Sequence, residues 1–148
     1  AIVAGGVAQR GGRPAQGLQE ALRISMAQRH GWPLRLAAIP ADEAAEAVRA
    51  CASRGLRTIC VETDTAGLRS PPQSIDRTDL IGGRPGAGVA FVFGAEDEGT
   101  PEHVAEECEL FVSIPTVGKG SLNVSHAVAL AMYEYSRQLR VVAPGGAE

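Results

Sequence analysis

Two stretches of the chain combine polar side chains with the backbone freedom that binding or catalysis needs. The first is Gly94-Ala95-Glu96-Asp97-Glu98-Gly99-Thr100, and the second is "SIPTVGKGSLNVSHAV", Ser113 to Val128. Each follows a Val- and Phe-rich apolar run and precedes a helical pattern, so each reads as a strand-to-helix loop. In the first, glycines at both ends let backbone amides approach a ligand closely. Glu96, Asp97 and Glu98 make it a poor phosphate cradle and suit a cationic or neutral ligand. A tight turn with a solvated acidic face would explain the same letters. In the second, Gly118-Lys119-Gly120-Ser121 only superficially resembles a P-loop, which needs Ser or Thr directly after the Lys and a Gly opening the motif. Here Gly120 intervenes and Ser113 stands at the opening position. Ser121 and Asn123 offer short polar side chains at a helix start. N-capping accounts for one of them but not for the whole Gly-x-Gly-Ser-Leu-Asn combination.

The remaining composition narrows the class. A chain of 148 residues with 45% hydrophobic and 4% aromatic content is one domain able to bury a core without staples. Three cysteines, Cys51, Cys60 and Cys108, form no C-x-x-C pair, and His30, His103 and His126 lie far apart. That pattern argues for reduced thiols in a cytoplasmic protein, with no disulfide framework and no metal site. No apolar run approaches the roughly 20 residues a bilayer requires, so no membrane partner is expected. A net charge of −3 and a pI near 5.6 give no global basic footprint for nucleic acid. Arg10, Arg13, Arg23, Arg29 and Arg35 cluster early; they read as a patch suited to phosphate recognition through the planar guanidinium fork or as coding bias toward Arg.

The elements that must position the two loops follow from periodicity. Strands are expected at Ala1–Ala4, Pro33–Ile39, Thr58–Glu62, Gly88–Phe93 and Leu110–Ile114. Helices are expected at Gln16–Arg29, Asp42–Ser53, Pro101–Glu107 and Leu122–Leu139, with Thr100 as an N-cap and Gly55 as a stop. Alternation of this kind predicts an α/β fold with a mainly parallel sheet covered by helices on both faces. In such sheets ligands collect beyond the carboxyl ends of the strands, where both loops lie. Leu68–Ala87, rich in Pro and Gly, reads as an irregular surface connection. The last helix carries apolar residues on more than one side, including Leu130, Tyr133 and Tyr135, which suits either a wholly internal helix or one that also meets a partner subunit.

Taken together, Gly94-Ala-Glu96-Asp-Glu-Gly99, then Ile114-Pro115, then Ser121-Leu122-Asn123-Val124-Ser125, closely resemble the motifs of the SpoU, or TrmH-like, branch of the SPOUT RNA methyltransferases. The closing "ALAMYEYSRQ" is similar to that family's last helix. The resemblance is carried by residues 88–140. It implies a C-terminal deep trefoil knot and a homodimer built through the last helix. It also implies S-adenosyl-L-methionine as cofactor, and methylation of a ribose 2′-hydroxyl of tRNA or rRNA. By position, Gly94, Gly99, Ile114, Pro115, Gly118, Ser121 and Leu122 match the family's cofactor contacts, with Ile114 and Leu122 enclosing the adenine. Glu96, Ser121 and Asn123 match residues that organise catalysis, and the acidic first loop suits a positive sulfonium.

One motif of the family has no match here. Asn-x-Gly-x-x-x-Arg, which supplies the catalytic arginine, is not found: Ala4 stands where Asn should precede Arg10, and Gly17 where it should precede Arg23. The expectation is therefore a SpoU-type domain over residues 1–142 that lacks its first strand and first motif, followed by a disordered tail at 143–148. The alternative is a catalytically degenerate module that binds cofactor or RNA without methyl transfer. The RNA target is not encoded in these motifs.

Overall fold

In the central strands of the sheet, successive side chains alternate between two core clusters. The computed structural model describes residues 2–5, 36–63, 68–83, 88–95, 98–118 and 122–142, with side chains from residue 39 onward. The elements are β1 (Ile2–Gly5), β2 (Leu36–Ile39), α1 (Ala41–Ser53), β3 (Arg57–Val61) and β4 (Gln73–Ser74). A 3-10 turn (Ile75–Arg77), β5 (Val89–Phe93), α2 (Glu102–Ala105), β6 (Leu110–Ser113) and α3 (Val124–Val142) complete them. The six strands run in the order β2-β1-β5-β3-β6-β4, and every neighbouring pair is parallel. In β3, β5 and β6, Ile59, Val61, Phe91, Phe93 and Val112 enter one core cluster. Cys60, Val92 and Phe111 enter the other.

Helices cover both faces, as the alternation of elements predicts. α3 supplies Val128, Ala131 and Met132 to the first cluster, with Tyr135 meeting Phe91 edge to face at 6.3 Å between ring centres. α1 and α2 supply Ala44, Ala45, Val48, Val104 and Ala105 to the second. Asp42 and Glu43 occupy the first turn of α1, where the helix dipole favours negative charge.

Several expectations need correction. α1 opens after Pro40, α2 is shorter than Pro101–Glu107, and α3 runs from Val124 to Val142. β2 begins at Leu36, three residues after the expected Pro33. Thr100 is not the N-cap of α2; Pro101 holds that position without a side-chain cap. The expected helix at Gln16–Arg29, the early arginines and the tail lie outside the described residues.

The larger correction concerns Leu68–Ala87. Within it β4 pairs with β6, Gln73 with Val112 and Ser74 with Ser113. Ile75, Leu80 and Ile81 are at most 5% exposed. These three side chains are core although their neighbours Arg69, Gln73, Asp76, Arg77 and Asp79 are exposed, and α3 ties the segment down. The Gln138 amide donates to Thr78 O at 2.8 Å, while its oxygen accepts the Leu80 N–H at 2.9 Å. Gln138 also donates to Glu134 Oε1, and Arg137 grips both oxygens of that carboxylate at 2.8 and 2.7 Å.

Leu80→Ala should lower stability by about 2–5 kcal/mol, as for other buried leucines. Arg77→Ala on the exposed side should stay within about 0.5 kcal/mol of wild type; urea denaturation checks both. The Arg137 guanidinium, aided by Gln138, holds the Glu134 carboxyl below its ordinary value of 4.5. Its stabilising contribution is therefore complete above that value and is lost as pH falls through the lowered pKa. The stability gap between wild type and Glu134→Gln should accordingly shrink between neutral pH and the acid range, and a gap independent of pH would contradict this.

Candidate active site

Strand register brings the loop-bearing ends level. Val61 of β3 pairs with Phe93 of β5 and with Val112 of β6. The next residues, Glu62, Gly94 and Ser113, therefore emerge side by side at the carboxyl edge of the sheet. β5 lies between β1 and β3 although it follows both in sequence, so its loop leaves the sheet where the direction of strand addition reverses. Crevices at such points are the usual ligand sites of open parallel sheets.

The loop after β5 folds back on itself. Ala95 and Gly99 form an isolated antiparallel bridge, with Ala95 N–H to Gly99 O at 3.1 Å and Gly99 N–H to Ala95 O at 2.9 Å. Gly94 lies against that closing segment so tightly that a Cβ would stand 2.0 Å from Gly99 C and 2.2 Å from Thr100 N. Only glycine fits there, for reasons of space, whereas Gly99 is required by its φ of +69°. Thr100, expected as a cap, is instead held by β3. Its N–H donates to Glu62 Oε2 at 3.0 Å, and its Oγ1 lies 3.6 Å from Cys60 Sγ. Cys108, through its hydrogen bond with Cys60 and then through burial, is pushed far above the ordinary thiol range. Glu96 lies outside the described residues.

The second loop supplies a different surface. Ile114 is 9% exposed and belongs to the α3-side cluster, against which Leu122 packs. The two apolar residues matched to the adenine-binding pair thus adjoin the same cluster. Pro115, Thr116, Val117 and Gly118 are exposed, and their backbone makes no hydrogen bond with the other described residues. Asn123 caps α3: its Oδ1 accepts the Ser125 N–H at 2.9 Å and the Ser125 hydroxyl at 2.6 Å, and its carbonyl accepts from His126 and Ala127. Ser121 lies outside the described residues. A cleft of about 290 Å³ at the opposite end of the sheet is rimmed by Glu106, Glu107 and Glu109. Arg69, which also lines it, donates to the Cys108 and Glu109 carbonyls. Glu107 and Glu109 are paired with Arg49 and Arg57, so this cleft, far from both loops, is charge-balanced. Among the described residues, no group of three His, Cys, Asp or Glu could hold a metal ion. No described helix is long and apolar enough to cross a membrane.

Comparison with known proteins matches residues 15–133 to the model of the SpoU rRNA Methylase family. The chain belongs to that family. Over 54 residues it is 44% identical to the tRNA (cytidine-2′-O-)-methyltransferase TrmJ of Methanocaldococcus jannaschii, a match covering 35% of this chain and 24% of that protein. Over 63 residues it is 44% identical to the 23S rRNA (guanosine-2′-O-)-methyltransferase RlmB of Pasteurella multocida, covering 42% and 24%. These matches span about a quarter of the length of either relative. Among solved structures, the SpoU methyltransferase AviRb of Streptomyces viridochromogenes is 25% identical with a TM-score of 0.56, over 95% of this chain and 49% of that one. The α/β, parallel-sheet architecture is thus shared with a SpoU-family structure.

Glu62 and Cys60 had no place in the motif reading, although their spacing puts them on one face at a strand end beside the loop. Gly94→Ala should destabilise the chain by about 1–3 kcal/mol or more through overpacking. Pro115→Ala, on the exposed loop, should change it by less than about 0.5 kcal/mol. Equal urea midpoints for these two variants would refute the close approach at Gly94.

Proposed function

We propose that this chain is the cofactor-binding part of an S-adenosyl-L-methionine-dependent RNA methyltransferase that methylates a ribose 2′-hydroxyl of tRNA or rRNA in the cytoplasm. The observation that carries the reading is the family match over residues 15–133, joined to the meeting of the family's two loops at one edge of the sheet. TrmJ and RlmB, which act as their names state on tRNA and on 23S rRNA, set the two substrate classes.

The residues present suit this cofactor. An adenine needs apolar walls and main-chain groups along its edge. Ile114 and Leu122 offer the first, and the exposed backbone of Pro115–Gly118, without described protein partners, offers the second. Gly94 and Gly99 would keep the facing loop free of side-chain bulk. When bound, S-adenosyl-L-methionine supplies an electrophilic methyl group on a positively charged sulfur. The work left to this chain is alignment of a weakly nucleophilic hydroxyl with that methyl. In that reading Glu96 would help organise the site, and Ser121 and Asn123 would help place the ribose and a catalytic arginine. Arg10 and Arg23, which lack the rest of the family's first motif, lie outside the described residues.

The proposal extends to a domain spanning residues 1–142 and to a deep trefoil knot, an exception among folds. The insertion of β6 between β3 and β4 favours the knot. It extends also to a homodimer through α3. Leu130, Tyr133 and Val141, exposed by 45%, 61% and 67%, form one stripe with Arg137 at helical spacing. A second reading, a module that binds cofactor or RNA without catalysis, draws on the unmatched first motif.

The deciding experiment is calorimetric titration of S-adenosylhomocysteine into this chain, with Leu122→Arg as control. Saturable binding to the wild type and no measurable heat with the control are expected. A folded wild type that takes up no ligand would overturn the cofactor reading.

A further inference from the structure

We propose that Glu62, matched by no motif above, is a positioning residue that locks the closing half of the Gly94–Thr100 loop to the sheet. Its effect on ligand affinity rests on the cofactor reading given above, whereas the lock itself rests on geometry alone. Glu62 is the first residue beyond β3, level with Gly94 and Ser113 by register. Cys60 and Glu62, two residues apart, share a face, and both turn to Thr100. Glu62 Oε2 accepts the Thr100 N–H at 3.0 Å, and Cys60 Sγ lies 3.6 Å from Thr100 Oγ1. The second oxygen, Oε1, accepts the Thr63 N–H at 3.0 Å, which fixes the carboxylate on its own backbone. The Glu62 N–H donates to Val112 O at 2.9 Å. One residue therefore ties together the end of β3, the end of β6 and the loop that follows β5.

The bridge between Ala95 and Gly99 cannot do this work, because it closes the loop on itself and leaves its distance from β3 unset. The carboxylate also lies against the bare backbone of Gly99, where a Cβ would stand 3.1 Å from Oε2. Hydrogen bonds from amides to a carboxylate are stronger than neutral ones. The lock is therefore suited to hold Gly94 and Gly99 in the contact that shapes this side of the site.

The test compares Glu62→Ala and Glu62→Gln with the wild-type chain, using residue-resolved amide exchange and S-adenosylhomocysteine titration. Loss of the carboxylate should make Thr100 N–H exchange about tenfold faster, the scale of one lost charge-assisted bond. Phe91 and Val112 in the sheet should keep wild-type protection. The Gln variant retains an acceptor and should restore most of the Thr100 protection. Ligand affinity should follow the same order, falling about tenfold in the Ala variant and recovering in the Gln variant. Unchanged Thr100 exchange in Glu62→Ala would overturn the lock, and faster exchange with unchanged affinity would overturn its positioning role. A wild type that binds no ligand would end the cofactor reading and with it the positioning role, while the lock would still be judged by exchange.

Discussion

The pairing of β3 with β5 on one side and β6 on the other is the constraint from which the rest of the structure follows. Arg57 to Val61 pair in order with Val89 to Phe93, and Ile59 to Val61 with Leu110 to Val112. Both faces of these strands are covered, so neither tolerates the wrong set of side chains. A slip of one residue would exchange Ile59 and Val61 for Cys60 and would turn every strand side chain to the opposite helix layer. It would also draw Glu62 toward the core, where an unpaired carboxylate is strongly disfavoured. The register that satisfies the core is the same one that sets Glu62, Gly94 and Ser113 level. Core and site thus have a single origin.

The strands and the long helices were legible because their signals are local. β5 is an unbroken apolar run, buried along its whole length, and Gly55, with φ of +79°, ends α1 region as a glycine stop should. The buried residues of Leu68–Ala87 were missed because Pro and Gly dominate it locally. Ile75, Leu80 and Ile81 have no period to announce their burial. Ile75 and Leu80 are buried in the cluster that α3 shares with the sheet, and α3, some sixty residues later in the chain, ties the segment down through the two hydrogen bonds of Gln138. Interactions at that separation leave no trace in a local window. Thr100 was read as a cap for a similar reason: a Thr before Pro is a reasonable helix start, and only the packed structure shows β3 holding it instead.

The site was legible to a different degree. Gly94, Ile114 and Leu122 were singled out through a family pattern; the structure describes their packing, Gly94 against Gly99 and Thr100, Ile114 and Leu122 at the α3-side cluster. Asn123 bears out the capping reading, since its Oδ1 accepts the Ser125 N–H at the start of α3. Glu62 could not be found this way. A lone Glu after an apolar run looks like an ordinary solvated strand end, and its two amide partners become visible only once the sheet register is known.

α3 connects these levels. Its first turn adjoins Leu122 and Asn123, its inner face fills the core, and Gln138 near its end fixes the segment beside β4. Its outer stripe is apolar except for Arg137, and that residue bears on whether a second copy could cover it. Burying a bare guanidinium would be prohibitive, but Arg137 makes two hydrogen bonds to Glu134 at 2.8 and 2.7 Å. Glu134 is itself only 8% exposed. The charge is thus balanced within the helix before any partner arrives. A planar, paired guanidinium presents a weakly hydrated face, and covering it leaves no unpaired ion behind. The Arg137–Glu134 pair, next to the Gln138 bonds that anchor the core segment, therefore makes the stripe from Leu130 to Val141 suitable for the subunit contact proposed above.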